Sequence, residues 1–273
     1  MVATKPEPYI EFEDSDLGNM LADTFGDGTG ITQRQAKRVT QQAFNAVFDG
    51  TQEHYSSFNE FQYFKRVNDA GKWMGNTDLA SITLPTSCKS VGLNAFNGCT
   101  SLDAINLGGV TYLRSAAFKD CTNLEIEINM PLLTGRHAAN TTLEYDTFCG
   151  SGITKILSLG TVTDLGQYSF CQRCYNLTEV WLPSTLKEIA RQSFTECTSL
   201  LYVVCLATEP PVIAPGYEHT ARAFENNAAG RKFYVPYSED HSVLNAYKSD
   251  PKWSEFENDI YELTENGQIP EQL

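Results

Sequence analysis

Basic residues are scarce in this chain: 20 Lys and Arg stand against 34 Asp and Glu, a formal net charge of −14. Nucleic acid and anionic membrane surfaces reward clustered cations, so neither is expected as a partner. Long apolar runs are absent too. Nothing approaches the roughly 18 residues that would span a bilayer, which argues against membrane insertion. Met1 to Ile10 also lacks the basic-then-apolar layout of a secretory leader, as though a leader has been removed or that export route is not used. Histidine is rare, and His54, His137, His219 and His241 fall in no metal or triad spacing; loops and caps are their expected places. Eight cysteines in 273 residues are too few for a disulfide scaffold and leave the redox compartment open. No G-x-S-x-G or Walker pattern occurs, and Gly26-x-Gly28-x-Gly30 lacks the strand-before, helix-after context of a dinucleotide loop. Carboxylate pairs such as Glu125 and Glu127 are what any acidic chain contains. These absences point away from an enzyme, and no cofactor is implied.

What the chain does have is self-similarity. Leu79-Ala-Ser-Ile82-Thr-Leu84, Leu102-Asp-Ala-Ile105-Asn-Leu107 and Leu177-Thr-Glu-Val180-Trp-Leu182 share one frame, L-x-x-I/V-x-L. Phenylalanines stand at 96, 118, 148, 170 and 194, in steps of 22, 30, 22 and 24 residues, which suggests about five repeats. The step of 30 holds a polar insertion around Gly135 to Thr142 that should bulge from one side of a stack. In each frame the two flanking apolar side chains point one way and the middle residue the other, because a strand alternates with period two. Strands this short need neighbours, and stacking them about 4.8 Å apart in a parallel ladder joins their apolar rows into one core. Pro85 and Pro183, which cannot donate to a ladder, end their strands.

Cysteine holds a fixed place in the pattern. Cys99, Cys121 and Cys197 each lie three residues after the repeat Phe, and Cys174 follows with one residue inserted. A column of buried free thiols is expected, since free Cys behaves as a small hydrophobe. Cys171 and Cys174 form C-x-x-C, but no second pair faces them, so no metal site is expected.

At these residues the chain resembles the BspA-like class of leucine-rich repeats, typical of surface proteins in anaerobic gut and oral bacteria. The turn A-F-x-x-C-x-x-L of that class stands at Ala95-Phe96 to Leu102 and at Ala117-Phe118 to Leu124. The resemblance covers 79–205. It extends to Ser57–Phe64, like the family's entry to the first repeat, and to Phe233-Tyr234-Val235-Pro236 with Val243, Leu244, Tyr247, Lys248 and Trp253, like its closing strand and helix. It implies an α/β repeat solenoid with short parallel strands, a helical N-terminal segment and a strand-plus-helix C-terminal cap. The implied organisation is an acidic segment over 1–56, an N-terminal cap over 57–78, repeats over 79–205 and a C-terminal cap over 206–273. Adhesion or ligand binding at the cell surface, or as a secreted protein, is the implied role, and the resemblance carries over no catalytic residue.

Relatives of this class often carry a calcium loop before the repeats. Here Asp23, Asp27 and Gly28 fit its first, fifth and sixth positions, but Phe25 replaces an oxygen ligand. Arg34 or Gln35 stands where a bidentate Glu belongs, so tight calcium binding is not expected. The plainer reading is a turn into a helix capped by Thr32, with Ala36, Val39, Ala43 and Val47 as its apolar stripe. The acidic clusters at the two ends, Glu7 to Asp16 and Glu255 to Glu271, read as solvated faces.

The outward face of the ladder remains as the candidate site. Alternation turns Thr83, Asn106, Asn129, Leu157, Trp181 and Val204 outward, together with Ser81, Ala104, Glu127, Lys155, Glu179 and Tyr202. Late repeats therefore offer Leu157, Trp181 and Tyr202 beside Lys155 and Glu179, unless a C-terminal cap containing Pro210, Pro211, Tyr217 and Phe224 folds over them. Two roles fit: an adhesin recognising a protein or glycan, or a structural or receptor-binding subunit of a larger assembly such as a bacteriophage virion. A leaderless Met1 favours the second.

Overall fold

Each apolar frame becomes one rung of a parallel ladder. In the computed structural model, which describes residues 6–48, 54–71, 73–137, 139–166, 168–214 and 223–270, the rungs stack into a solenoid of about eight turns. Ser57–Phe58, Ser81–Ile82 and Ala104–Ile105 form a three-stranded sheet. Glu127–Asn129, Lys155–Ser158, Glu179–Leu182, Tyr202–Cys205, Lys232–Val235 and Ile260–Glu262 continue as a six-stranded one. Ile128, Ile156, Val180, Val203, Phe233 and Ile260 pair in register along this second sheet and are all buried, giving the inward row that alternation requires. A second parallel ladder runs through Asp69–Ala70, Ser90–Val91 and Tyr112–Leu113 to Gly135, and resumes from Thr142 through Asp164 to Glu188–Ile189 and Val212–Ile213. The insertion thus interrupts one rung of this ladder. It folds back on itself through Asn140 N–H to His137 O and Arg136 N–H to Thr142 O.

An aromatic column fills the interior. Trp73, Phe96, Phe118 and Phe148 stack with centroids 5.2, 5.3 and 5.4 Å apart and ring planes within 7° of parallel. Phe170 is turned, meeting Phe148 at 88° and Phe194 at 85°. The backbone explains this. The N–H of each column residue donates to the carbonyl just before the next one: Phe96 to Ala117, Phe118 to Thr147, Cys171 to Ser193, Phe194 to Ala223, whereas Phe148 donates to Phe170 itself. Left-handed residues fall two before and two after the column position in each turn, at Asn94 and Gly98, Ala116 and Asp120, Asp146 and Gly150, Gln192 and Glu196. In the odd turn they are Ser169 and Arg173, which centres it on Cys171. Cys171, not Phe170, therefore holds the column register, and the Phe170 ring reaches the core from one residue upstream.

This register removes the inserted residue expected before Cys174, which lies three after Cys171 as the other thiols lie three after their Phe. The same slot holds Asn76 at the start and Asn227 at the end. From it, Asn76 donates to Tyr55 O, Cys99 to Trp73 O, Cys121 to Phe96 O, Cys174 to Phe148 O, Cys197 to Cys171 O and Asn227 to Phe194 O. Each of these donors satisfies a carbonyl of the turn before, so Asn and Cys serve alike there; in the Phe148 turn the slot holds Ser151, whose hydroxyl lies 3.6 Å from Cys174 Sγ. Trp73 and Phe224 continue the aromatic column at its two ends, stacking on Phe96 and Phe194.

The ends depart from expectation in three ways. The helix capped by Thr32 stops after Gln33–Ala36, and a second begins at Gln41–Phe48, where the Thr40 hydroxyl accepts from Ala43 N–H. Phe44 and Phe48, rather than Ala43 and Val47, anchor the second helix beneath Phe58, Phe61 and Trp73. An earlier helix, Ser15–Phe25, is capped by Asp14, whose other oxygen accepts from the N–H and hydroxyl of Ser56. The acidic N-terminal segment is thus partly fastened to the first turn rather than wholly solvated. Asp27 is occupied as well, accepting from Tyr9 Oη at 2.6 Å and from Thr29 and Gly30 N–H, which makes its loop a hydrogen-bonded turn. At the other end, Lys232–Val235 joins the ladder itself, and helix Ser242–Ser249 with the 3-10 turn Trp253–Asp259 closes the stack. Tyr217, His219 and Glu271 lie outside the described residues.

Candidate binding face

Pairing register sets the outward face of the six-stranded sheet. Glu127, Lys155, Glu179, Tyr202 and Lys232 form one row; Trp181, Val204, Tyr234 and Tyr261 form the other. Lys155 Nζ lies 3.9 Å from Glu127 and 3.5 Å from Glu179, so opposite charges alternate along the first row. The Trp181 indole N–H donates to Glu179 Oε1 at 2.6 Å, tying the ring to the row beside it. Leu157, two residues beyond Lys155 on the same strand, is 36% exposed and has no partner in the ladder, because the register shifts there and Asn129 pairs with Ser158. Sequence reasoning named Lys155, Leu157, Glu179, Trp181 and Tyr202; the ladder sets Lys155, Glu179 and Tyr202 in one row with Trp181 bonded to Glu179, and Leu157 stands out from the Lys155 strand.

Three outward residues, Glu179, Val204 and Tyr234, are not open to solvent. Glu179 is only 5% exposed, because Lys155 and the Trp181 indole enclose it. Val204 is fully buried, in a small core with Tyr234, Leu263 and Ile269 that lies apart from the solenoid interior. Trp181 and Tyr202 pack half-buried against its edge. A cover therefore exists, but Leu263 and Ile269 supply it rather than the residues expected. Pro211 instead accepts from the Trp253 indole, and Phe224 stacks on Phe194 inside. Two lone apolar residues in an acidic tail, around the left-handed Gly267, were the signal for this lid.

Elsewhere, Ser238, His241 and Glu262 converge, but both Ser238 Oγ and His241 Nδ1 bond to Glu262. A nucleophile needs its base within reach, and here both groups meet the carboxylate. Ser238 Oγ also accepts from Val243 N–H in the first turn of the closing helix, a structural duty. Among the described residues no group of three or more His, Cys, Asp or Glu is placed to hold a metal ion. No helix among them is long and apolar enough to cross a membrane.

Short parallel rungs, one buried column position per turn and helices at the ends define a leucine-rich-repeat solenoid. Residues 69–201 match the BspA type Leucine rich repeat region in six copies, and this part of the chain belongs to that family. Six copies replace the five counted from the phenylalanines. Among solved structures, the chain is similar to a leucine-rich repeat protein of T. pallidum, with 26% identity and a TM-score of 0.45 over 50% of this chain and 63% of that one. It is also similar to a leucine-rich repeat protein from Bacteroides ovatus, with 16% identity and a TM-score of 0.36 over 63% and 59%. An internalin from Listeria monocytogenes aligns at 13% identity and a TM-score of 0.33 over 96% and 78%. The chain thus spans less than two thirds of the first two. No curated protein sequence matches it significantly.

Proposed function

We propose that the chain is a non-enzymatic adhesion protein, displayed at the cell surface or secreted, that grips a ligand through the outward face around Leu157 and Trp181. The observation that carries this reading is the fastening of Trp181 to the enclosed Glu179, beside an exposed Leu157 and the bridging Lys155. A large aromatic held in one orientation gives contact area with little entropy left to lose, the usual character of an interface anchor. Apolar and alternating charged groups side by side suit a protein surface better than a glycan.

The test uses variants that avoid the tail-covered core. Leu157→Glu should leave the thermal midpoint unchanged, whereas Lys155→Glu, which sets a third carboxylate beside Glu127 and the enclosed Glu179, should lower it, so its binding is measured well below the melt. Each should weaken binding of the fluorescently labelled chain to epithelial or bacterial cell surfaces at least about tenfold, or ~1.4 kcal/mol. Surface binding that survives both changes would place the ligand elsewhere. Trp181→Ala is a weaker test, because the indole also supports the tail core.

A further inference from the structure

The insertion that interrupts the second ladder builds a cavity that the ladder-face reading does not use. Gly135 pairs with Tyr112 on one side and Thr142 with Asp164 on the other, so the hairpin between them stands out from the ladder and walls a cleft of about 450 Å³. That volume falls in the ~300–1,000 Å³ range of small-molecule sites. Its polar groups are planar or hydroxylic: the guanidinium groups of Arg114 and Arg136, the carboxyl groups of Glu144 and Asp164, the Asn140 amide and the Thr142 hydroxyl. Leu93 and Tyr145, 51% and 50% exposed, supply apolar walls.

The positions are held from behind. Glu144 accepts the Ser115 N–H at 2.8 Å and hydroxyl at 2.5 Å on one oxygen and Arg136 Nη1 at 3.3 Å on the other. Burial pushes this carboxyl up, but the Ser115 bonds and the adjacent Arg114 and Arg136 outweigh it and hold it below the usual range. Asn140 Oδ1 accepts the N–H and hydroxyl of Thr142, which fixes the side chain and leaves its N–H2 group as the amide's donor end. Arg114 is exposed at the rim.

Two cationic groups meet two carboxyl groups, so the lining favours neither an anion nor a cation. Mixed donors and acceptors on planar side chains match the adjacent hydroxyls of a pyranose, each of which donates and accepts, while apolar walls suit its C–H faces. We propose that this cleft binds a neutral hexose unit of a glycan, as a second site separate from the ladder face.

Saturation-transfer NMR on the intact chain, with methyl α-glucoside, methyl α-mannoside, methyl β-galactoside and methyl β-glucuronide as probes, tests this. At least one neutral hexoside should receive transfer. Tyr145→Ala and Arg114→Ala, both at exposed positions, should each weaken it at least about tenfold with an unchanged thermal midpoint, and Leu157→Glu should leave it intact. Transfer to the glucuronide alone would mean an anion site and overturn the proposal. So would transfer to none of the probes, or transfer that persists in both cleft variants. Loss in Leu157→Glu would place the sugar on the ladder face and also overturn it, whereas failure of the cleft leaves the ladder-face reading standing.

Discussion

At the residue scale, one slot carries a donor to the preceding turn in the turns of Asn76, Cys99, Cys121, Cys174, Cys197 and Asn227, and its thiols are shielded because they are buried. All eight cysteines are free and buried, and burial pushes the Cys99 thiol up to about 12. Alkylation requires a thiolate that the reagent can reach, and the four column thiols are fully enclosed. Native protein treated with iodoacetamide at pH 8 should therefore leave Cys99, Cys121, Cys174 and Cys197 unmodified by mass spectrometry, with all eight reacting after denaturation. Cys149, 8% exposed, should label first. Rapid native labelling of the column thiols would contradict their placement. Glu60 offers a pH test. It is 7% exposed, one oxygen accepts from Glu13 N–H, and the other has no hydrogen-bond partner. Burial, with Glu13 and Asp14 adding repulsion, raises its pKa. A raised folded-state pKa favours the protonated form, so its contribution is full below the ordinary Glu range of about 4.3 and lost as pH rises through the folded value. Glu60→Gln mimics the protonated form. It should raise the thermal midpoint at pH 7, and the gain should vanish below about pH 4. A variant less stable at pH 7 would show that the charged form is favoured. The thiol slot was legible in the sequence from three evenly placed cysteines. Its Asn occupants were not, because Asn76 and Asn227 share a donor with Cys rather than a resemblance to it.

At the scale of elements, regular spacing made the repeats readable, and competition among local signals hid the ends. Thr32 starts a helix, but Thr40 offers a second cap within the same apolar stripe, and two short helices result. Asp14 reads as one more acid in an acidic run until Ser56, 42 residues away, is seen to share it with the helix start. The tail lid is the hardest case, since Leu263 and Ile269 have no periodicity and their partners lie on other strands. Its separation from the main core makes it testable. Ile269→Asp places a charge where a 2%-exposed side chain packs. Hydrogen exchange should then rise in 202–206, 232–235 and 260–264 while 90–160 keeps its protection. Uniform loss of protection would show that the lid is integral to the solenoid.

At the scale of the whole molecule, each turn packs on its neighbours, so damage should be felt locally in structure but broadly in stability. Phe118 touches Phe96 on one side and Phe148 on the other. Phe118→Ala should cost about 3–5 kcal/mol. It should also make thermal unfolding two-phased by calorimetry, as the halves on either side lose their link. One unchanged cooperative transition would show coupling that bypasses the column.

The uneven turns have a mechanical consequence. A repeat solenoid held at one end and loaded at the other feels tension along its axis, and a coil whose rungs bond only to adjacent rungs yields one loop of thread at a time. Column steps of 22 to 30 residues release contour lengths of roughly 80–110 Å at about 3.6 Å per residue. The step carrying the hairpin, from Phe118 to Phe148, and the step from Phe194 to Phe224 are the longest, at 30 residues each. In an optical trap the extension record should be a staircase rather than a single rip, with two tall stairs, one of them marking the hairpin turn. Removing 136–141 should shorten that stair alone, by roughly 20 Å. Such a molecule would act as a shock absorber, letting go of length in instalments before the load passes to its far end.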